Sequence, residues 1–80
     1  METSIQDRVI NIVAEQLGLA IYEVLPTSNF VNDLGIDSLD ELELLIAIED
    51  EFELEVNNEE AEKFSNVQEV IDYVTANIQS

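Results

Sequence analysis

The chain contains no cysteine and no histidine. Without cysteine there is no disulfide, no thiolate metal site and no thiol nucleophile. Without histidine the commonest general base and metal ligand is missing, and neither a Ser/His/Asp nor a Cys/His catalytic set can be assembled. Basic residues are scarce: Arg8 and Lys63 stand against 19 acidic residues, for a net charge of −17. Such a field repels nucleic acid phosphates and anionic membrane surfaces, and attracts basic protein surfaces and divalent cations. No apolar run is long enough to span a bilayer, and there is no Gly-rich phosphate loop. Met1-Glu2-Thr3-Ser4 lacks the basic start and apolar run of a secretory signal and the Arg-rich character of a transit peptide. A cytoplasmic protein that binds neither nucleic acid nor membrane is therefore expected. Helix breakers are few as well. Gly18, Gly35 and the single proline, Pro26, all fall in one region.

What is present points to a folded helical protein. Eighty residues suffice for one domain, residues 1–80, with one modest core. Hydrophobic residues make up 46% of the chain, too many for a disordered acidic tail. Ile5, Val9, Ile12, Val13 and Leu17 recur at helical spacing and predict a helix over about 4–17. Thr3 with Gln6, or Ser4 with Asp7, offers its N-cap, and Gly18 its end. Residues 18–37 read as an ordered loop, with room for a short helical turn, pinned to the core by Leu25, Phe30, Val31, Leu34 and Ile36. A second helix is predicted over about 38–52, capped by Ser38 with Glu41 in a capping box, with Asp37 as a competing cap. Asn57 or Asn58 can cap a short third helix through about Phe64. Ser65 with Gln68, or Asn66 with Glu69, starts a last helix containing Val67, Val70, Ile71, Val74 and Ile78. The fold class is all-α: a four-helix bundle of three main helices and one short one, with a long ordered first loop.

Carboxylate pairs could do acid–base work, but at this acidic density they arise by chance and single out nothing. The calcium-loop pattern needs glycine at its sixth place. The nearest windows, Asn29 to Asp40 and Asn32 to Glu43, carry Leu34 and Asp37 there. No residue is assigned a catalytic or metal-ligating role. One stretch stands apart, Asp33-Leu34-Gly35-Ile36-Asp37-Ser38-Leu39-Asp40. A serine at a helix start is ordinarily only a cap. Here its hydroxyl would sit where backbone N–H groups and the helix dipole tolerate an attached phosphate. Gly35 permits a sharp turn before it, and flanking acids mark it out from Ser4, Ser28 and Ser65.

Asp37-Ser38-Leu39 resembles the Asp-Ser-Leu phosphopantetheine attachment motif of acyl carrier proteins. The resemblance extends through Phe30-Val31-Asn32-Asp33-Leu34-Gly35 before it, and through Leu39-Asp40-Glu41-Leu42-Glu43-Leu44 and Glu51-Phe52 after it. It reaches Asn58-Glu59-Glu60-Ala61-Glu62-Lys63 and Val67-Gln68-Glu69-Val70-Ile71-Asp72-Tyr73, and so covers nearly the whole chain. The resemblance implies a four-helix bundle with a long first loop and a short third helix. It implies that Ser38, between Asp37 and Leu39, receives phosphopantetheine from coenzyme A through a holo-synthase. Acyl groups would then ride as thioesters on the thiol of the arm, which would explain a chain with no cysteine or histidine of its own. Two positions depart from the common bacterial fatty-acid pattern. Glu41 replaces a small or hydroxylic residue and adds a charge beside the attachment site, and Asn57 stands where proline is frequent.

The second helix has two apolar stripes at about 100° per residue. Leu44, Leu45, Ile48 and Phe52 should face the core. Leu39, Leu42 and Ile46 lie nearly opposite, flanked by Glu43, Glu49 and Asp50. A single core needs one stripe, so the second is either covered by the third helix or the long loop, or is a docking surface. The resemblance favours docking, with Asp40, Leu42, Glu43, Ile46, Glu49 and Asp50 meeting basic patches on the holo-synthase and on fatty acid synthesis enzymes. Fatty acid biosynthesis is the leading assignment. A specialised carrier for a polyketide, lipid A or other pathway is the alternative within the same chemistry. An unmodified acidic interaction or cation-binding module is the alternative outside it. An enzyme is disfavoured, and the charge argues for a monomer.

Overall fold

The computed structural model describes residues 4–78. Four helices follow in order: α1 Ile5–Leu17, α2 Ser38–Phe52, α3 Asn58–Lys63 and α4 Val67–Asn77. The expected bundle of three long helices and one short one is what the chain forms. Each boundary has a local cause. The Ser4 hydroxyl accepts from the Asp7 N–H at 3.1 Å and caps α1; the alternative cap, Thr3, lies outside the described residues. Gly18 ends α1 in the left-handed region at φ 70°, where a Cβ would be strained. The Asn57 side chain caps α3 by accepting from the Glu60 N–H. Asn66 and Glu69 form the capping box of α4. The Ser65 hydroxyl, the other candidate cap, instead donates to Glu69 Oε1 at 2.6 Å.

Helix α1 packs against both α2 and α4. Val9 and Val13 from α1, Leu44 and Ile48 from α2, and Val67, Val70 and Val74 from α4 form a fully buried centre. Each such side chain contributes about 1.5–3 kcal/mol of transfer free energy. Of the expected core stripe of α2, Leu44, Ile48 and Phe52 join this core; Leu45 is buried too, but outside that cluster, where it lines a groove. At the edge of this core Arg8 donates from Nη2 and Nε to Glu51 Oε2 at 2.8 and 3.1 Å. Its guanidinium also lies 4.4 Å from the centroid of the Phe52 ring.

The first loop is ordered, and contains the short helical turn at Ile21–Glu23. Its anchors differ in part from those expected. Phe30 and Ile36 are buried and Leu34 packs partly against the core, but Leu25 and Val31 are exposed. Val24 is buried in place of Leu25. The reason lies in the turn that follows. The Ser28 hydroxyl accepts from the Leu25 N–H at 3.0 Å and the Leu25 carbonyl accepts from the Ser28 N–H, so the chain reverses with Leu25 outward. The loop is then stapled to the α3–α4 junction. Phe30 N–H donates to the Ser65 carbonyl, Val67 N–H to the Ser28 carbonyl and Gln68 N–H to the Pro26 carbonyl, at 2.8–3.1 Å. This staple sets the approach of the loop to α2.

Candidate functional site

The chain reaches α2 through a tightly wound approach. Asn29 Oδ1 accepts from the N–H groups of Val31 and Asn32, and Asp33 Oδ2 accepts in turn from the Asn29 N–H at 2.7 Å. Gly35 then takes φ 65°. No heavy atom outside its immediate neighbours lies within 4 Å of where its Cβ would be. Glycine is therefore needed for backbone conformation and not for space. Ile36 N–H returns to the Phe30 carbonyl at 3.0 Å, and the Ile36 side chain is buried. A fixed, buried residue thus sits two positions before Ser38.

The cap of α2 is Asp37, and the Ser38 reading is corrected. Asp37 Oδ1 accepts from the Asp40 N–H at 2.9 Å, and Asp40 Oδ2 accepts from the Asp37 N–H at a longer 3.5 Å. The capping box is therefore Asp37 with Asp40, displaced by one residue from Ser38 with Glu41. A carboxylate in the extended N-cap position competes well against a hydroxyl, because its charge also suits the positive end of the helix dipole. The consequence concerns chemistry. Ser38 is the first residue of α2, is exposed, and has no capping duty. The Asp40 N–H is taken by the cap and the Glu41 N–H by the Asp37 carbonyl. The N–H groups of Ser38 and Leu39 remain at the open helix end, where an anion beside the serine would meet them.

Around Ser38 the apolar surface has two parts. The second stripe of α2 is uncovered: Leu39, Leu42 and Ile46 are 62%, 53% and 49% exposed. Among the acids expected to ring it, Glu43 and Asp50 are exposed. Glu49 is half-buried, and its Oε2 accepts from the Val56 N–H at 2.9 Å, tying α2 to the chain that leads to α3. Asp40 shares its carboxylate with the cap.

Beside this stripe an open groove of about 520 Å³ runs from Ser38 toward α3. Val31 of the first loop, Leu42 and Leu45 of α2, Ala61 of α3 and Phe64 after it supply its apolar lining. Ser38, Glu41, Glu62 and Ser65 supply its polar lining. Phe64 is held by an edge-to-face contact with Tyr73, with ring centroids 5.5 Å apart. Sequence reading missed the α3 side of this groove. Ala61 lies on a six-residue helix too short to show an apolar period and Phe64 is the extended residue that ends it, and the only signal for Val31 was its apolarity, which pointed to the core.

The Glu69 carboxyl has a displaced pKa. The Ser65 hydroxyl, then the Ser65 N–H, hold it below the usual carboxylate range; burial opposes them, and the Asn66 N–H adds a weaker lowering effect. It serves the α4 cap and not the groove.

Among the described residues no group of three or more Asp or Glu side chains is arranged to hold a metal ion, and no helix is long and apolar enough to cross a membrane. The site instead fits a tethered phosphodiester arm. Its hydroxyl is uncommitted, it stands at a helix N-terminus, and a partly apolar groove adjoins it. A family model described as the phosphopantetheine attachment site matches residues 7–74. That span runs from the first turn of α1 into the last turn of α4, and so takes in the whole arrangement. The chain belongs to the phosphopantetheine-attachment family: it is not an enzyme but a carrier of acyl groups on a covalently bound phosphopantetheine arm.

Proposed function

We propose that Ser38 bears the arm and that the protein carries growing acyl chains in fatty acid biosynthesis. The observation that carries the reading is the division of labour at the start of α2. Asp37 caps the helix, so the neighbouring Ser38 hydroxyl is exposed and uncommitted beside an apolar groove. In the loading step the Ser38 oxygen forms a bond to the β-phosphorus of coenzyme A, the pyrophosphate bond breaks, and the adenosine bisphosphate half leaves. The serine proton goes to a base on the holo-synthase. The new phosphodiester carries one negative charge, which the free N–H groups of the α2 terminus stabilise. The arm supplies the thiol on which acyl groups are carried.

The uncovered stripe of Leu39, Leu42 and Ile46 is the docking centre. Asp40, Glu43, Glu49 and Asp50 form its acidic rim and meet Arg and Lys on the holo-synthase and on fatty acid synthesis enzymes. Of these, Glu43 and Asp50 are the more available, since Glu49 and Asp40 also accept backbone hydrogen bonds. Charges at a rim act mainly on association rate. The strong net charge opposes self-association and supports a monomer. Support for fatty acid synthesis is the length of the resemblance on either side of Asp37-Ser38-Leu39. A specialised lipid or polyketide carrier is the second reading, favoured by Glu41 in the groove lining.

Incubation with coenzyme A and a broad-specificity holo-synthase, followed by intact mass and peptide mapping, tests the site. One phosphopantetheinyl group on Ser38 is expected. No addition, or addition at another serine, would overturn the assignment. The acyl group found on the native protein decides the pathway.

A further inference from the structure

Glu41 and Glu62 come from different helices, α2 and α3, yet both line the groove that begins at Ser38. Neither takes part in the two ion pairs of the described residues, Arg8 with Glu51 and Lys63 with Glu60. Lys63, the base nearest in sequence, is absent from the groove lining. Glu41 is half-buried and Glu62 exposed, so one charge sits deeper than the other. The remaining walls are mostly apolar, with Val31, Leu42, Leu45, Ala61 and Phe64. A groove of this kind favours neutral apolar matter along its walls and opposes negative charge. A carboxylate entering it would lose hydration and meet two like charges in a medium less polar than water.

Resting on Ser38 as the attachment point, we propose that Glu41 and Glu62 select the cargo by charge. Neutral acyl chains lodge in the groove, while carboxyl-terminated acyl groups are held outside it. The two carboxylates are specificity determinants of the carrier, acting on where the acyl group resides and not on how the arm is attached. A carboxyacyl unit carried on the arm stays in solvent, open to a partner enzyme. A neutral chain is shielded from adventitious attack on its thioester.

The experiment loads Ser38 with heptanoyl- or adipoyl-phosphopantetheine, two cargoes of closely matched length that differ by a terminal carboxylate. Each thioester is cleaved with hydroxylamine, and its rate is divided by that of the same acyl group on free pantetheine. Amide shifts of Leu42, Ala61 and Phe64 report groove occupancy. The wild type should protect heptanoyl more than adipoyl by about tenfold, a difference of about 1.4 kcal/mol. The gap should shrink as added salt screens the carboxylates. The Glu41→Gln/Glu62→Gln double variant keeps the shape of both side chains. It should protect adipoyl better than the wild type does, narrowing the gap to what the dehydration of the cargo carboxylate alone leaves, with heptanoyl protection unchanged. That last arm is the structural control, because a loosened groove would expose both cargoes. Equal protection of the two cargoes in the wild type, or a gap undiminished in the double variant, would overturn the charge selection. Loading at Ser38 with no protection of heptanoyl would overturn it too, leaving the attachment assignment intact. Failure to load Ser38 would remove the attachment assignment and this inference together.

Discussion

Replacement of Asp37 should cost stability, whereas replacement of Ser38 should cost loading with little effect on stability. Asp37 Oδ1 accepts the Asp40 N–H at 2.9 Å, whereas Ser38 occupies the first helical position without a capping contact. Loss of an N-cap acceptor costs about 1 kcal/mol. In a domain of this size that lowers Tm by roughly 4–8 °C. The comparison must separate the cap from charge, because removing any carboxylate from a chain of net charge −17 relieves some repulsion. Asp37→Asn and Asp37→Ala remove the same charge but differ in the acceptor. Asp37→Ala should therefore be less stable than Asp37→Asn by about 1 kcal/mol. Ser38→Ala removes no internal contact and should stay within about 0.5 kcal/mol of wild type. It should nonetheless lose all phosphopantetheine addition. Thermal unfolding followed by far-ultraviolet circular dichroism measures the first effect, and intact mass the second. If Ser38→Ala is destabilised as much as Asp37→Ala, or if the two Asp37 variants are equally stable, the assignment of the cap is wrong.

Three further outcomes follow from other parts of the molecule. Glu43→Lys should slow association with the holo-synthase at low salt, with the deficit shrinking as salt rises, while Ile46→Ala should weaken docking at all salt concentrations. Both variants should fold, since Ile46 is 49% exposed; unfolding of Ile46→Ala would show that its stripe belongs to the core. Arg8→Met removes two hydrogen bonds to Glu51 Oε2 and the cation over Phe52. The ion pair is partly exposed and worth about 0.2–1 kcal/mol, and the ring contact about 0.5–1 kcal/mol. A total loss near 1 kcal/mol is expected in chemical denaturation, which an unchanged midpoint would contradict. Glu69 has its pKa lowered by folding, chiefly through the Ser65 hydroxyl. Its contribution is therefore present above the unfolded-state pKa and is lost as pH falls through the lowered folded-state value. The Tm difference between wild type and Glu69→Gln should be present at neutral pH and shrink on acidification into that range; a constant difference would argue against it.

Much of the fold was legible along the chain because helices are local objects. The period of Ile5, Val9, Ile12, Val13 and Leu17, the left-handed stop at Gly18, and the caps at Ser4, Asn57 and Asn66 all act within a few residues of one another. The same holds for the two stripes of α2. One face of a helix is settled by spacing alone, and Leu44, Leu45, Ile48 and Phe52 are buried while Leu39, Leu42 and Ile46 are not. Ser38 could be singled out from its neighbours Asp37 and Leu39, and the family match spans the segment that contains them.

Other features depended on parts of the chain that meet only after folding. Asp37 and Ser38 were both plausible caps, and the backbone delivered through Gly35 and the buried Ile36 put Asp37 in the extended cap position. Leu25 and Val31 were as apolar as Val24, but the Ser28 turn directs Leu25 outward and Val31 lines the groove. Glu49 looked like a free rim charge until the chain before α3 brought the Val56 N–H to it. The groove itself has no linear signature. Its walls come from the first loop, α2, α3 and the junction after it, and the staple of Phe30 and Val67 to Ser65 and Ser28 helps bring them together. Sequence determined the helices, the acidic field and the serine, because each is written in residues close together. Tertiary packing decided which side chains surround that serine, because these are distant in sequence and adjacent only in the folded bundle.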